Sequence, residues 1–177
     1  MILKEPATGR YVALRSAHEA DAAFILKLRL DPELNEFLHP TDPSLGRQQT
    51  WLAEKKRQSN DCHLIIETLQ QEACGTIAVY DIDFARGTFE WGRWVVARSA
   101  PIGAAWESSI LIYDLAFNSL GLKTAFFGVR KGNRNVVAFH ERYAPERIRE
   151  DEEAVYFCLK KENYSKTRMY ETFFKRS

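Results

Sequence analysis

The stretch WGRWVVARSAPIGAAWESSILIYDLAF, Trp91 to Phe117, decides the fold. Together with Glu90, its first part to Val96 is β-branched and aromatic with partial alternation, which favours a strand. From Trp106 to Leu120 apolar residues recur at helical spacing, and Trp106, Ile110, Tyr113 and Phe117 share one face. Between them Ala97 to Ala104, with Pro101 and Gly103, reads as a short loop. A strand that turns directly into a helix presents unpaired backbone N–H groups and the positive end of the helix dipole. Both suit a phosphate or pyrophosphate, and the small residues Gly103, Ala104 and Ala105 permit close approach. An ordinary structural joint accounts for the same residues, so the spacing alone leaves both readings open.

The surrounding chain bounds the answer. Its 177 residues point to a single domain, 1–177, with a sizeable core. Apolar residues make up 45% and charged residues 28%, the balance of a water-soluble globular protein. A net charge of +1 supplies no broad basic field for nucleic acid. The basic cluster Arg130 to Arg149 alternates with acids and reads as a solvated face. The opening residues MILKEPATGR lack the apolar core of a signal peptide, and no run is long enough to insert in a membrane. A cytoplasmic location follows as an expectation. Cys62, Cys74 and Cys158 are scattered and odd in number, which favours reduced thiols in strands. They and the four histidines, His18, His39, His63 and His140, show no ligand spacing, so no metal is expected.

Outward from the central stretch, Tyr11 to Leu14 reads as a first strand. Ser16 and Glu19 form an S-x-x-E capping box before a helix carrying Phe24, Ile25 and Leu28. Pro32 interrupts it, and a short turn follows with Leu34, Phe37 and Leu38. His39 to Gly46 is a loop long enough to cover a ligand, and Gln48 to Gln58 a second helix. Cys62 to Thr68, Cys74 to Ile82 and Thr88 to Val96 form an antiparallel meander. Gly121 caps the long helix. Thr124 to Val129 is a strand, Arg134 to Arg142 a helix stopped by Pro145, and Ile148 and Ala154 to Leu159 give terminal strands. The residues from Glu162 onward carry no clear pattern; the aromatic tail Tyr164, Tyr170, Phe173 and Phe174, with Trp106, suits either packing or an interface.

This order, with GTIAVYDID, FEWGRWVV, IGAAWESSILIYDLAFNSLGL and VRKGNRNVVAFHERY, resembles the GNAT superfamily of acetyl-coenzyme A dependent N-acetyltransferases across nearly the whole chain. The resemblance implies an α+β fold: a central, mixed, mostly antiparallel sheet of about six to seven strands, splayed in the middle, with helices on both faces. It implies acetyl-CoA as co-substrate. The family's pyrophosphate signature, Gln or Arg, two residues, Gly, one residue, then Gly or Ala, aligns on Ala100 to Ala105. Gly103 and Ala105 match; Ala100 replaces the polar residue, and Arg98 stands two positions earlier as a substitute. The coenzyme set implied by the resemblance is Trp94, Val95, Val96, Arg98, Ile102, Gly103, Ala104, Ala105, Asn133 and Val136, with a main-chain N–H near Trp94 to Val96 on the thioester carbonyl. Glu90 matches the acidic position that takes a proton from the incoming amine; the alternative is a strand carboxylate paired with Arg93. His140 stands where many members carry a tyrosine acting as general acid; it is otherwise a partly exposed helix residue with no duty.

Within the superfamily the chain looks most like enzymes that acetylate nucleotide-linked amino sugars for surface polysaccharides such as the O-antigen of lipopolysaccharide. LRLDPELNEFLHP, GTIAVYDID, RWVV, AFNSLGL and FHERY carry that likeness. It implies a dTDP-linked 3-amino-3,6-dideoxyhexose, with Arg29 on a phosphate and Trp51, Trp91 and His39 stacking on base or sugar, although Trp51 and Trp91 also fit an ordinary core. Two other readings share the layout: acetylation of a protein amine such as a ribosomal N-terminus, and a non-catalytic acyl-CoA binding module. A homo-oligomer is compatible with all three.

Overall fold

The computed structural model describes residues 1–174, without the side chains of Arg168, Met169 and Phe174. Its strands are β1 (Ala7–Thr8), β2 (Val12–Ser16), β3 (Cys62–Thr68), β4 (Ala73–Asp83), β5 (Thr88–Val96), β6 (Thr124–Arg130), β7 (Glu146–Glu150) and β8 (Ala154–Lys160). Its helices are α1 (Ala22–Leu30), α2 (Leu45–Arg57), α3 (Ala104–Asp114), α4 (Arg134–Glu141), α5 (Lys161–Tyr164) and α6 (Arg168–Phe174).

All eight strands join one sheet in the order β1-β2-β3-β4-β5-β6-β8-β7. The fold is the expected α+β arrangement with one strand more. The addition is β1, a two-residue strand too short to show any period. Every pairing is antiparallel except β5 with β6, which is parallel and connected through α3. That pairing holds only at Thr88↔Thr124, Phe89↔Ala125 and Glu90↔Phe126. Beyond it β5 runs on to Val96 paired with β4 alone, while β6, paired with β8 along its whole length, continues to Arg130. The sheet therefore splays open between β5 and β6.

Alternation along the strands buries both faces. On one face Leu64, Ile66, Ile77, Val79, Phe89 and Trp91 meet Ile110, Tyr113 and Phe117 of the α3 segment. On the other, Ile65 packs with Ala22 and Ile25 of α1 and Leu52 of α2. Trp106 and Tyr164 contribute to packing as well: Trp106 meets Phe173 at 5.8 Å and Tyr164 lies against Tyr113 at 5.1 Å. The Phe174 side chain lies outside the described residues.

Several local expectations change. Ser16 ends β2 and accepts from Leu3 N at 2.8 Å, so it caps nothing. The following turn is closed instead by Asp21, which accepts from His18 N at 2.8 Å. Helix α2 starts at Leu45 behind Ser44, whose Oγ accepts from Arg47 N, so Gly46 lies inside the helix rather than in the loop. After Asp114 the long helix widens into a π turn, Leu115–Ser119, before Gly121 at φ 70°. All three cysteines are buried, free and in strands.

Candidate active site

A cavity of about 690 Å³ passes through the splay. One end is lined from α1, α2, β3 and β4 by Arg29, Trp51, His63 and Tyr80, with Arg93 from β5. The other is lined by Trp91, Trp94, Asn133, Val136 and His140. The loop from Phe37 to Asp42 forms a wall, and Phe37 is fixed there by close contact with Gly132, where a Cβ would come within 2.8 Å of its ring.

A bulge in β5 shapes the floor. The register steps from Thr76↔Val95 to Ala78↔Gly92, leaving one extra residue on β5. Arg93 occupies this bulge at φ 49°, a strained value for a residue with a side chain. Asp61 holds it there through two hydrogen bonds, at 2.8 and 2.9 Å, and the guanidinium stacks 4.4 Å from the Tyr80 ring and 5.1 Å from Trp51. Burial works to raise the Asp61 carboxyl, but the bonds and charges of Arg93 and Lys55 outweigh it and leave the pKa below its ordinary value. Arg93 is thus engaged by Asp61 and forms no ion pair with Glu90.

Glu90 sits beside this cavity and does not line it. It pairs across the ladder with Tyr80. Burial, then the charge of Asp81, raises its carboxyl above the usual range. Tyr80, raised to about 12 mainly by burial, extends its hydroxyl over Gly92, where a Cβ would lie 2.9 Å from Oη.

His140 does line the cavity, and it is buried rather than partly exposed, at 4% exposure. Its ring packs 4.4 Å from Phe127 and 5.1 Å from Trp91. Burial among these rings lowers its pKa to about 4, so near neutral pH it carries no charge. What it can offer there is a neutral imidazole, not an imidazolium proton. Tyr143, three residues on, is no substitute: its hydroxyl faces Ser109 Oγ at 2.5 Å in the core.

Arg29 and Arg130 both reach the loop over the cavity. Arg29 donates to Thr41 Oγ1 at 2.8 Å and to His39 O at 3.3 Å; Arg130 Nη2 lies 3.3 Å from His39 Nδ1. Neither has a carboxylate partner among the described residues. Burial, then the charge of Arg93, holds the Arg29 pKa below its ordinary range. The acid of the lining, Asp42, is already paired with Arg47 at 2.5 Å.

The remaining positions expected for a coenzyme lie apart from the cavity lining. Val95 and Val96 complete the part of β5 that has no partner on its β6 side. Gly103, at φ 95°, turns the chain into α3, and Ile102 beside it is 98% exposed. The Tyr11 ring flanks Gly103 at 3.5 Å from where a Cβ would be. Buried Glu107 anchors this corner by accepting from Arg10 N, Tyr11 N and Val12 N at 2.7 to 2.8 Å. Arg98 is engaged elsewhere, in an exposed 2.5 Å pair with Glu33, which is weak enough for a diphosphate to break. An open helix start with small flanking residues fits a diphosphate.

Sequence reasoning missed His63, Tyr80, Arg93 and Arg130. Their signal was only their alignment across strands, which needs the register to be known. Residues 12–144 match a family model described as an acetyltransferase (GNAT) domain. Among solved structures, the chain is similar to FdhC, a nucleotide-linked sugar GNAT in its apo form, with a TM-score of 0.86 and 28% identity over 97% of this chain and 99% of that one. A GCN5-related N-acetyltransferase from Brucella melitensis matches with a TM-score of 0.77 and 16% identity over 97% and 84%. A mutant of the spermidine N-acetyltransferase SpeG from Vibrio cholerae matches with a TM-score of 0.74 and 14% identity over 86% and 95%. The last two likenesses concern the fold alone. A search of curated protein sequences gave no match.

Proposed function

We propose, from the premise that the chain belongs to the acetyltransferase (GNAT) family, that it transfers the acetyl group of acetyl-CoA to the amine of a nucleotide-linked amino sugar. The observation that carries the choice of acceptor is the pair Arg29 and Arg130, two guanidiniums at one cavity wall without carboxylate partners among the described residues. A half-buried cation with only neutral acceptors binds an anionic ligand strongly, and a guanidinium matches a phosphate bidentately. A polyamine would need the opposite sign. FdhC, a nucleotide-linked sugar GNAT, supports the same choice. The best specific candidate is a dTDP-linked 3-amino-3,6-dideoxyhexose, made in the cytoplasm for surface polysaccharide, with His39 and Trp51 beside base or sugar.

The chemistry requires the amine nitrogen to form a bond to the thioester carbonyl carbon, the C–S bond to break, one proton to leave the nitrogen and one to reach the sulfur. Holding the reactants together supplies most of the acceleration. The start of α3, from Gly103 to Ala105, takes the pyrophosphate, and Trp94, Asn133 and Val136 guide the arm toward the splay. A main-chain N–H on the open part of β5 stabilises the oxyanion. Glu90 favours loss of the amine proton from beside the cavity, and neutral His140 hydrogen-bonds at the sulfur end.

Incubation with acetyl-CoA and a panel of dTDP- and UDP-linked 3-amino and 4-amino sugars, spermidine and N-terminal peptides, read by thiol release, tests this. Turnover is expected with a nucleotide amino sugar. Preference for a peptide or polyamine, or tight coenzyme binding without thiol release on any amine, overturns it.

A further inference from the structure

Tyr80 is half-buried on β4 and has none of the roles assigned above. It lines the cavity, and so does Gly92. Tyr80 stands opposite Glu90 across the β4–β5 ladder. Directly opposed residues share a face of the sheet, as do residues two apart on one strand. Tyr80, Glu90 and Gly92 therefore face the same side. The Tyr80 side chain leans along that face onto Gly92, where a Cβ would meet Oη at 2.9 Å and ring carbons only at 3.6 and 3.7 Å. The hydroxyl, not the ring, is what a side chain at position 92 would displace. Arg93 fixes the ring: its guanidinium stacks 4.4 Å from the Tyr80 centroid and is itself held by Asp61 at 2.8 and 2.9 Å.

The hydroxyl is open to a ligand. Among the described residues, the unpaired polar side-chain atoms shut away from solvent are His63 Nδ1, Trp91 Nε1, Tyr113 Oη and His140 Nδ1. Tyr80 Oη also has no hydrogen-bond partner among the described residues, yet it is not one of these, so it opens on the cavity that the residue lines. Its place there is specific. Gly92 lies just past Glu90↔Phe126, the last pair joining β5 to β6. It also lies two residues before Trp94, at most about 7 Å along a strand. The hydroxyl thus stands at the mouth of the splay, beside the stretch of β5 proposed to hold the thioester carbonyl.

We infer that Tyr80 is an acceptor-contact residue: its Oη accepts a hydrogen bond from the amino group of the bound sugar and fixes the nitrogen beside the open edge of β5. The inference rests on the proposed nucleotide amino sugar activity. A primary amine that gives one N–H to Tyr80 keeps its nitrogen lone pair free to face the carbonyl carbon. Burial, then the charge of Glu90, raises the Tyr80 pKa to about 12. The phenol therefore keeps its proton near neutral pH and orients the amine without deprotonating it.

Steady-state kinetics on the full chain, with both substrates varied, tests it. Tyr80→Phe keeps the ring against Arg93 and removes only the hydroxyl. The kcat/KM of the amino sugar is expected to fall about 10- to 100-fold, since a bound donor loses its acceptor. The KM of acetyl-CoA should stay within about twofold, and the pH profile should keep its shape. Gly92→Ala puts a Cβ against Oη and is expected to cause a loss of similar size. In the double variant Tyr80→Phe/Gly92→Ala that Cβ meets only ring carbons, so the loss is expected to be no greater than in Tyr80→Phe alone. An amino sugar kcat/KM within about twofold of wild type in Tyr80→Phe, single losses that multiply in the double variant, a parallel rise in the KM of acetyl-CoA, or a vanished limb of the pH profile each overturns the inference alone. A wild-type protein that turns over no nucleotide amino sugar overturns the proposed function and this inference with it.

Discussion

The two ends of the active-site region are built from different materials. The start of α3, the proposed coenzyme end, offers backbone: a left-handed Gly103, a helix start, and small side chains. The proposed acceptor end offers side chains from five separate elements, α1, α2, β3, β4 and β5. The first end is an extension of the core, because Glu107 ties it to the β1–β2 turn from inside. The second is a set of polar groups laid over the sheet, with Asp61 as its own anchor. Damage at the first end should therefore appear as instability; at the second, losing the Asp61 anchor should cost stability too, while losing a side chain that faces the cavity should appear as lost acceptor affinity.

The sharpest test is Glu107→Ala. Three amides of the turn lose a fully buried acceptor, and unmet buried groups cost about 1–3 kcal/mol each. Urea denaturation should show a loss of about 4 kcal/mol; an unchanged midpoint would erase the distinction drawn above.

Asp61→Asn asks whether the acceptor end is also essential to the fold. Breaking a buried pair costs about 3 kcal/mol, and the variant should lose roughly that in the same assay. The Asp61 pKa is depressed in the folded protein. Its stabilisation is therefore complete above the unfolded value of about 3.9 and is lost as pH falls through the folded value. Wild type should lose stability more steeply than the variant as pH is lowered below about 4.

Arg29→Ala leaves both anchors intact. It should raise the KM of a nucleotide amino sugar about 10- to 100-fold, the worth of a charge-assisted bond, while the KM of acetyl-CoA stays within about twofold. Equal effects on both substrates would mean that the two ends are not separable. Glu90→Gln should have the smallest effect. Glu90 lies outside the cavity lining, so turnover should fall less than the roughly hundredfold expected from removing a positioned base. A larger fall in single-turnover rate would return it to the reacting nitrogen.

The same contrast governs what could be read in the sequence. Backbone sites announce themselves through local order: a β-branched run, Gly103, then apolar residues at helical spacing name the α3 joint and its strand. Each of those signals lies within a few residues of the next. The acceptor end depends on tertiary placement, because Arg29, Trp51, His63, Tyr80 and Arg93 come together from elements distant in sequence. Arg93 looked like a partner for Glu90 because both lie on β5. The bulge turned it toward Asp61, and nothing in the sequence marks a non-glycine residue at φ 49°. His140 was placed at the right position in the helix, but the ring of aromatics that strips its charge comes from β5 and β6. Ser16 carried a capping pattern that the extension of β2 overrode.

The parallel contact of β5 with β6 spans three residue pairs, and it alone joins β1–β5 to β6–β8 within the sheet. Few main-chain hydrogen bonds therefore hold the two half-sheets together at Thr88–Glu90, while each half keeps its own ladder and the shared core of Trp91 and Phe127 bridges them. Amide hydrogen exchange should report this as weaker protection along the seam than in β3 or β4. A molecule seated in the cleft touches both halves, and its binding should slow that exchange.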